Sequence, residues 1–312
     1  MPDQWPTSAE VHLAVRERLT RLLDELGGPV AEIGRRTLSA VHRLFSDQPH
    51  SLTTVLVPGA CIAAGGNWRA AIWPAAAGEL LMAAADLFDD VADADPGPPG
   101  VDNPGVVLTA AAGLLSLASV AVVRVVNDGA SAQTGLALAE LLGAEFARAA
   151  NGQATNLVSG QQRFDALTAY RQAAAKSGPL GSLIARLGAQ TGTDDRRIVD
   201  MLGEFGRRLA VHSQLVNDAR DAAPDAPRHK ADVRAGTQTV PLAFSGSRGA
   251  PAGLGEAELG AWEKGERERI QVAGGLAAAQ ALAEAERLHA VGLLDALEGM
   301  GRPVAGLRVL IA

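Results

Sequence analysis

Apolar residues recur at three-to-four spacing along almost the whole chain, and no stretch alternates as a half-buried strand must. Val11, Val15, Leu19, Leu22 and Leu23 trace one helical face near the start. Leu276, Ala279, Leu282, Leu288, Leu293 and Leu297 trace another near the end. A chain patterned this way can bury its apolar stripes only by packing helix on helix. Composition points the same way, because aromatic residues are only 4% of the chain while hydrophobic residues reach 47%, with alanine dominant among them. At 312 residues the chain can bury a sizeable core, so the reading is one all-α domain over 1–312 with about ten helices, the first of them within 8–47.

Proline and glycine break the pattern at Gln48–His50, Asp95–Gly105 and Ser245–Gly255. The same composition excludes disorder and a disulfide scaffold. With 28 Lys+Arg against 35 Asp+Glu the net charge is −7, which argues against a nucleic-acid partner. Cys61 is the one cysteine and is flanked by Ala60, Ile62, Ala63 and Ala64, so it reads as helix interior and fits a reducing, cytoplasmic setting. The start, with Asp3, Trp5, Pro6 and Glu10, lacks the pattern of a secretory signal. Pro104 to Val123 is uncharged for about the length of a bilayer span, but Thr109, Ser116, Ser119, two glycines and many alanines favour a buried helix over a transmembrane one. The six histidines lack zinc-site spacing, and neither a phosphate loop nor a nucleophile elbow occurs.

Two acidic clusters close apolar helical stretches. The first is Asp86-Leu-Phe-Asp89-Asp90-Val-Ala-Asp93-Ala-Asp95, following the apolar run from Ala75 to Phe88. Asp89 and Asp93 stand one helical turn apart, and like charges held so close call for a hard divalent cation with oxygen ligands. The second is Gln214-Leu-Val-Asn217-Asp218-Ala-Arg-Asp221-Ala-Ala-Pro-Asp225, following the run from Leu202 to Val216. Asn217 and Asp221 are again one turn apart, and Asp225 adds another turn if the helix survives Pro224. Two such helix ends facing each other would hold metal and diphosphate, the chemistry of carbocation-forming enzymes.

These residues resemble the trans-isoprenyl diphosphate synthase (polyprenyl synthetase) family. Asp89-Asp90-x-x-Asp93 is similar to its first aspartate-rich motif and Asn217-Asp218-x-x-Asp221 to its second. Gly152-Gln153 resembles the GQ pair, Tyr170 through Lys176-Ser177-Gly178 the tyrosine and KTG lysine, and Gln214 the FQ glutamine. Lys230-Ala-Asp232 through Gly236 and Thr239-Val-Pro241 resembles the K-x-D and GKxTLP stretch, and Gly274-Gly275 a late helix start, so the likeness runs from about 55 to 300. The resemblance implies an isoprenoid synthase helical bundle around a central apolar cavity, and a homodimer. It implies a magnesium-dependent enzyme, with three Mg2+ ions bound together with the substrate diphosphate. Asp89, Asp93 and Asn217 or Asp221 would hold metal, with Asp90 beside them. Lys176 and Lys230 would hold the diphosphate of an allylic prenyl substrate. Gln153 and Gln214 would line the cavity near the reacting carbons. Ala84, Ala85 and Phe88 would form its wall below the first motif, where small residues leave room for fifteen carbons or more.

The sequence also departs from the pattern. Chain-elongating members hold isopentenyl diphosphate with a Gly-Lys-Arg motif upstream of the first aspartates and an Arg-Arg-Gly after them. Here the upstream position reads Gln48-Pro-His-Ser, and no arginine or lysine occurs between Asp95 and Val123. The second downstream lysine is Thr237, and the aspartate usual after GQ is Asn156. Diphosphate needs several charge-assisted bonds, so the second substrate loses its anchors while the allylic one keeps them. The expectation is a prenyltransferase that ionises an allylic diphosphate and passes the prenyl group to an acceptor other than isopentenyl diphosphate. The alternatives are a terpene cyclase on the same fold, ordinary chain elongation, and a non-catalytic partner subunit. Arg35 and Arg36 are candidates to replace the lost contacts. Trp68, Trp73, Phe88, Phe205, Phe244 and Trp262 are candidates to shield a cation.

Overall fold

The structure is a computed structural model that describes residues 5–40, 51–92, 97–98, 100–159, 165–226 and 232–312. Among the described residues it is built from helices and contains no strand. In chain order the helices are α1 (Ser8–Leu26), α2 (Gly28–Ala40), α3 (Leu52–Ala64), α4 (Ile72–Ala92) and α5 (Pro104–Val123). Then follow α6 (Ala132–Ser159), α7 (Ala166–Gly192), α8 (Arg196–Asp221), α9 (Asp232–Ala235), α10 (Val240–Ser245), α11 (Glu256–Val272), α12 (Gly275–Gly299) and α13 (Ala305–Arg308). Short 3-10 turns lie at Trp68–Ala71 and Arg124–Val126. The chain divides into two compact units. One holds Met1–Glu145, Ser182–Gly206 and Val291–Ala312, the other Phe146–Gly181 and Arg207–Ala290.

In the first unit the helix starts follow local chemistry. Thr7 and Glu10 form a capping box: the Glu10 N–H donates to Thr7 Oγ1 at 3.2 Å and the Thr7 N–H to Glu10 Oε2 at 2.8 Å. The predicted stripe Val11, Val15, Leu19, Leu22 and Leu23 is buried along α1. Asn103 caps α5 with Pro104 in its first turn, so the predicted break at Asp95–Gly105 does separate α4 from α5. The break at Ser245–Gly255 separates α10 from α11, while Gln48–His50 lies outside the described residues.

Helix α4 packs against α1, α2, α3 and α5. Its buried run of alanines, Ala75, Ala76, Ala77, Ala83 and Ala84, lets these neighbours approach closely. Ser51 caps α3, its Oγ accepting from the Thr53 N–H at 3.2 Å, and the same hydroxyl donates to the fully buried Glu79 of α4. Gly188 of α7 lies directly on the Val57 carbonyl of α3, a contact that any side chain would obstruct. The expectation of a buried helix at Pro104–Val123 holds for one face only. By length and composition both Trp68–Ala92 and Pro104–Val126 could cross a membrane, yet the first is 78% buried and the second 39%. Val107, Ala110, Ala111, Leu114, Ala118, Ala121 and Val122 face the core, while Val106, Leu108, Val120 and Val123 are exposed. The physical reason is that α5 is apolar all round, so packing against α4 and α2 cannot cover its whole circumference.

Among the described residues, the second unit holds two small apolar clusters. Ala169, Val211, Leu215, Ala219, Val240, Ala279 and Ala283 form one, and Ala222, Val233, Leu242 and Ile270 the other. Gly152 of α6 sits where a Cβ would strike the Ala175 carbonyl and the Lys176 nitrogen of α7. The glycine of the Gly152-Gln153 pair thus lets the two helices touch backbone to backbone next to Lys176.

Candidate metal-diphosphate site

In the first unit the last turns of α4 carry Ala84, Ala85, Phe88, Asp89 and Asp90. Ala84 is buried, and the other four are half-buried. Helical geometry pairs Ala85 with Asp89 and Ala84 with Phe88, so only Ala85 lies directly below the acidic face. Asp93 lies outside the described residues. Of the candidate replacements for the missing basic motifs, Arg35 pairs with Asp24 and Arg36 with Glu32 at 3.0 Å.

In the second unit Gln153, Lys176, Gln214, Asn217 and Asp221 are described, and Lys230 is outside. Along α8 the residues Asn217, Asp221, Gln214 and Asp218 fall within about 100° of the helix circumference. Asn217 is exposed, whereas Asp218 and Asp221 are buried. A hydrogen-bond relay orders this face. Ser177 Oγ donates to Gln214 Oε1 at 3.0 Å, and Gln214 Nε2 donates to Asp218 Oδ1 at 2.7 Å. Burial pushes the Asp218 carboxyl up to about 7, helped by the nearby Asp232 and Asp221 and opposed by the Gln214 amide and the Lys176 charge. Lys176, half-buried and one residue before Ser177, therefore supplies positive charge to the same acidic face. The Gln153 side chain has both amide atoms buried with no hydrogen-bond partner, an unmet demand for a polar group.

Helix α8 ends at Asp221, so Asp225 is exposed in the following turn and the Asn217, Asp221, Asp225 spacing does not continue along one helix. Proline at 224 is the reason. Tyr170 is engaged elsewhere: its hydroxyl donates to Glu286, which also takes Arg208 at 3.1 Å. Among the aromatic candidates, Trp73 lies beside the guanidinium groups of Arg18 and Arg124, at 5.2 and 5.3 Å from its ring centre. Phe205 is fully buried and Phe244 is exposed. Sequence reasoning passed over Asp218 as a separate site residue because adjacent acids look alike on paper, and only burial tells them apart.

Among the described residues no three His, Cys, Asp or Glu side chains converge tightly enough to enclose a metal by themselves. Magnesium takes one or two carboxylates and completes its shell with water and substrate phosphate, so the acids here suit it. Their donors are hard oxygens, and a cation beside the buried Asp218 would favour its ionised form. The residues fit the group.

No protein-family model matches the sequence, and no curated protein matches it either. Solved structures do. A geranylgeranyl pyrophosphate synthetase from the archaeon Geoglobus acetivorans is 17% identical, with a TM-score of 0.78 over 98% of this chain and 97% of that one. A polyprenyl synthetase from Streptomyces coelicolor A3(2) is 19% identical, with a TM-score of 0.77 over 97% of each chain. A polyprenyl synthase from Caulobacter crescentus CB15, complexed with calcium and isoprenyl diphosphate, is 21% identical, with a TM-score of 0.76 over 97% of this chain and 92% of that one. The chain therefore has the all-α isoprenoid synthase fold that these diphosphate synthases share.

Proposed function

We propose that the chain is a divergent member of the trans-isoprenyl diphosphate synthase family, acting as one domain over 1–312. Its reaction is magnesium-dependent ionisation of an allylic prenyl diphosphate and transfer of the prenyl group to an acceptor other than isopentenyl diphosphate. The observation that carries this reading is the ordered face of α8 and α7, where Lys176, the Ser177–Gln214–Asp218 relay and buried acids stand together. The calcium and isoprenyl diphosphate named for the Caulobacter structure support the same class of ligand.

In this reading Asp89 and Asp93 of the first aspartate motif, and Asn217 and Asp221 of the second, would hold metal, with Asp90 beside the first pair. Bound magnesium supplies the positive charge that stabilises the departing diphosphate. Lys176 and Lys230 bind phosphate oxygens with charge-assisted hydrogen bonds. Gln214, held at both ends of its amide, presents a fixed dipole near the reacting carbons. Gln153 uses its unpaired amide toward the same substrate. Ala84, Ala85 and Phe88 line the apolar wall that receives the tail and excludes water.

The loss of the second diphosphate's basic motifs supports this reading: among the described residues α5 carries no charged side chain, and Arg35 and Arg36 are taken up in ion pairs. The exposed apolar face formed by Val120, Val123 and Leu136 supports a homodimer, and the lone buried Cys61 supports a cytoplasmic setting. The test is incubation of purified protein and magnesium with C10, C15 and C20 allylic diphosphates, with and without isopentenyl diphosphate, following diphosphate release and organic products together. Release from the allylic substrate without elongation is the expected result. Elongated diphosphates would replace the proposal with ordinary synthesis and cyclic hydrocarbon with a cyclase, while no turnover would point to an acceptor missing from the mixture or to a non-catalytic subunit.

A further inference from the structure

Arg267 of α11 is only 4% exposed, and among the described residues its guanidinium meets both a carboxylate and main-chain carbonyls. Nε and Nη2 meet Glu263 Oε1 at 3.2 and 2.8 Å. Nη1 donates to the main-chain carbonyl of Asp221 and, at 3.3 Å, to that of Ala223. Glu263, 5% exposed, turns its other oxygen Oε2 to Arg234 Nε of α9. All of these residues belong to the second unit.

The placement is informative because of what it caps. The last carbonyls of a helix have no donor within the helix, and Pro224 prevents another turn from supplying one. Arg267 supplies that donor to Asp221 itself and to a residue two positions on. Through Glu263 the same network reaches Arg234, two residues after Asp232, whose charge acts on Asp218. Burying an ion pair gains little stability over an apolar pair of the same volume, so stability alone is a weak reason for it. Fixing the direction of an acidic helix end is a better one.

We propose that Arg267 and Glu263 are positioning residues that hold the acidic end of α8 in its metal-binding arrangement and fix the start of α9 beside it. This rests on the magnesium-dependent reading above. On sequence the pair is an ordinary i,i+4 match on an amphipathic helix, which is why the pattern alone does not single it out.

The test uses the full chain as Arg267→Met, Arg267→Lys and Glu263→Gln, with Arg287→Met, a half-buried arginine paired with Glu284 on α12, as control. Three quantities are read: calorimetric binding of magnesium with inorganic diphosphate, amide exchange of residues 218–226 without metal, and kcat and KM for a C15 allylic diphosphate. Loss of a group that orients metal ligands lowers metal affinity by about 10- to 100-fold, and that fall is expected for Arg267→Met, with part restored in Arg267→Lys. Exchange at 218–226 should accelerate in the same order, and kcat should fall more than KM rises. Magnesium-diphosphate affinity within about two-fold of wild type in Arg267→Met would overturn the proposal, whatever happens to its thermal stability. If Arg267→Met does not fold, Arg267→Lys and Glu263→Gln are judged by the same threshold. Wild type that binds no magnesium-diphosphate would instead refute the metal-dependent reading, and this inference with it.

Discussion

Replacing Asp218 by asparagine should stabilise the metal-free protein, and do so more as pH rises. The side chain is 6% exposed and accepts the Gln214 amide, a bond that asparagine can keep through its own oxygen. Its carboxyl is pushed from the usual 3.8 to about 7, chiefly by burial. An acid raised in this way holds its proton in the folded state and loses it on unfolding. Its contribution to stability is therefore fully present below about 3.8, declines as pH rises, and is gone above about 7. The shift of about three units corresponds to about 4 kcal/mol of charge burial at the alkaline plateau, at about 1.4 kcal/mol per unit. At about pH 5.5 the cost is about half of that, so the advantage of Asp218→Asn over wild type should grow by about 2 kcal/mol between about pH 5.5 and about pH 8. Urea unfolding with a chelator present, followed by far-UV circular dichroism at both pH values, measures the difference. An advantage that stays constant within about 0.5 kcal/mol would refute the picture of a desolvated acid at this position.

Three further outcomes are expected. Burial pushes the Cys61 thiol up to about 11, so the native protein should resist a thiol-directed dye at about pH 8 and react only when unfolded; rapid native labelling would contradict its buried setting. Gly152→Ala should cost about 1–3 kcal/mol in urea unfolding, because the new methyl meets the Ala175 carbonyl; an unchanged midpoint would mean that the backbones do not touch there. Val123→Glu combined with Leu136→Arg should convert a dimer into a monomer by light scattering, and a monomeric wild type would remove the role given to that face.

The all-α class, the stripe of α1 and the breaks before α5 and α11 were legible because periodicity and turn residues act locally. So were the two helices that end in acids, since α4 and α8 extend the predicted apolar runs. What escaped was set by contacts distant in sequence. The Gln214 amide that meets Asp218 is itself held by Ser177 of α7, and the capping of α8 depends on Arg267 of α11. The half-covered state of α5 escaped for a different reason: an all-apolar helix does not show in its letters how much of its surface neighbours will cover. Asp93 and Lys230 lie outside the described residues, so their roles rest on resemblance alone.

The tie between Ser51 and Glu79 has a consequence for the length of the chain around it. A fully buried carboxyl that accepts the Ser51 hydroxyl helps to set the rotation of α4 about its own axis, and Asp89 follows ten residues later on the same rod. Inserting or deleting one residue between them would swing the acids by about 100° and displace them by about 1.5 Å. Between Glu79 and Asp89, substitutions should be accepted far more readily than changes in residue number.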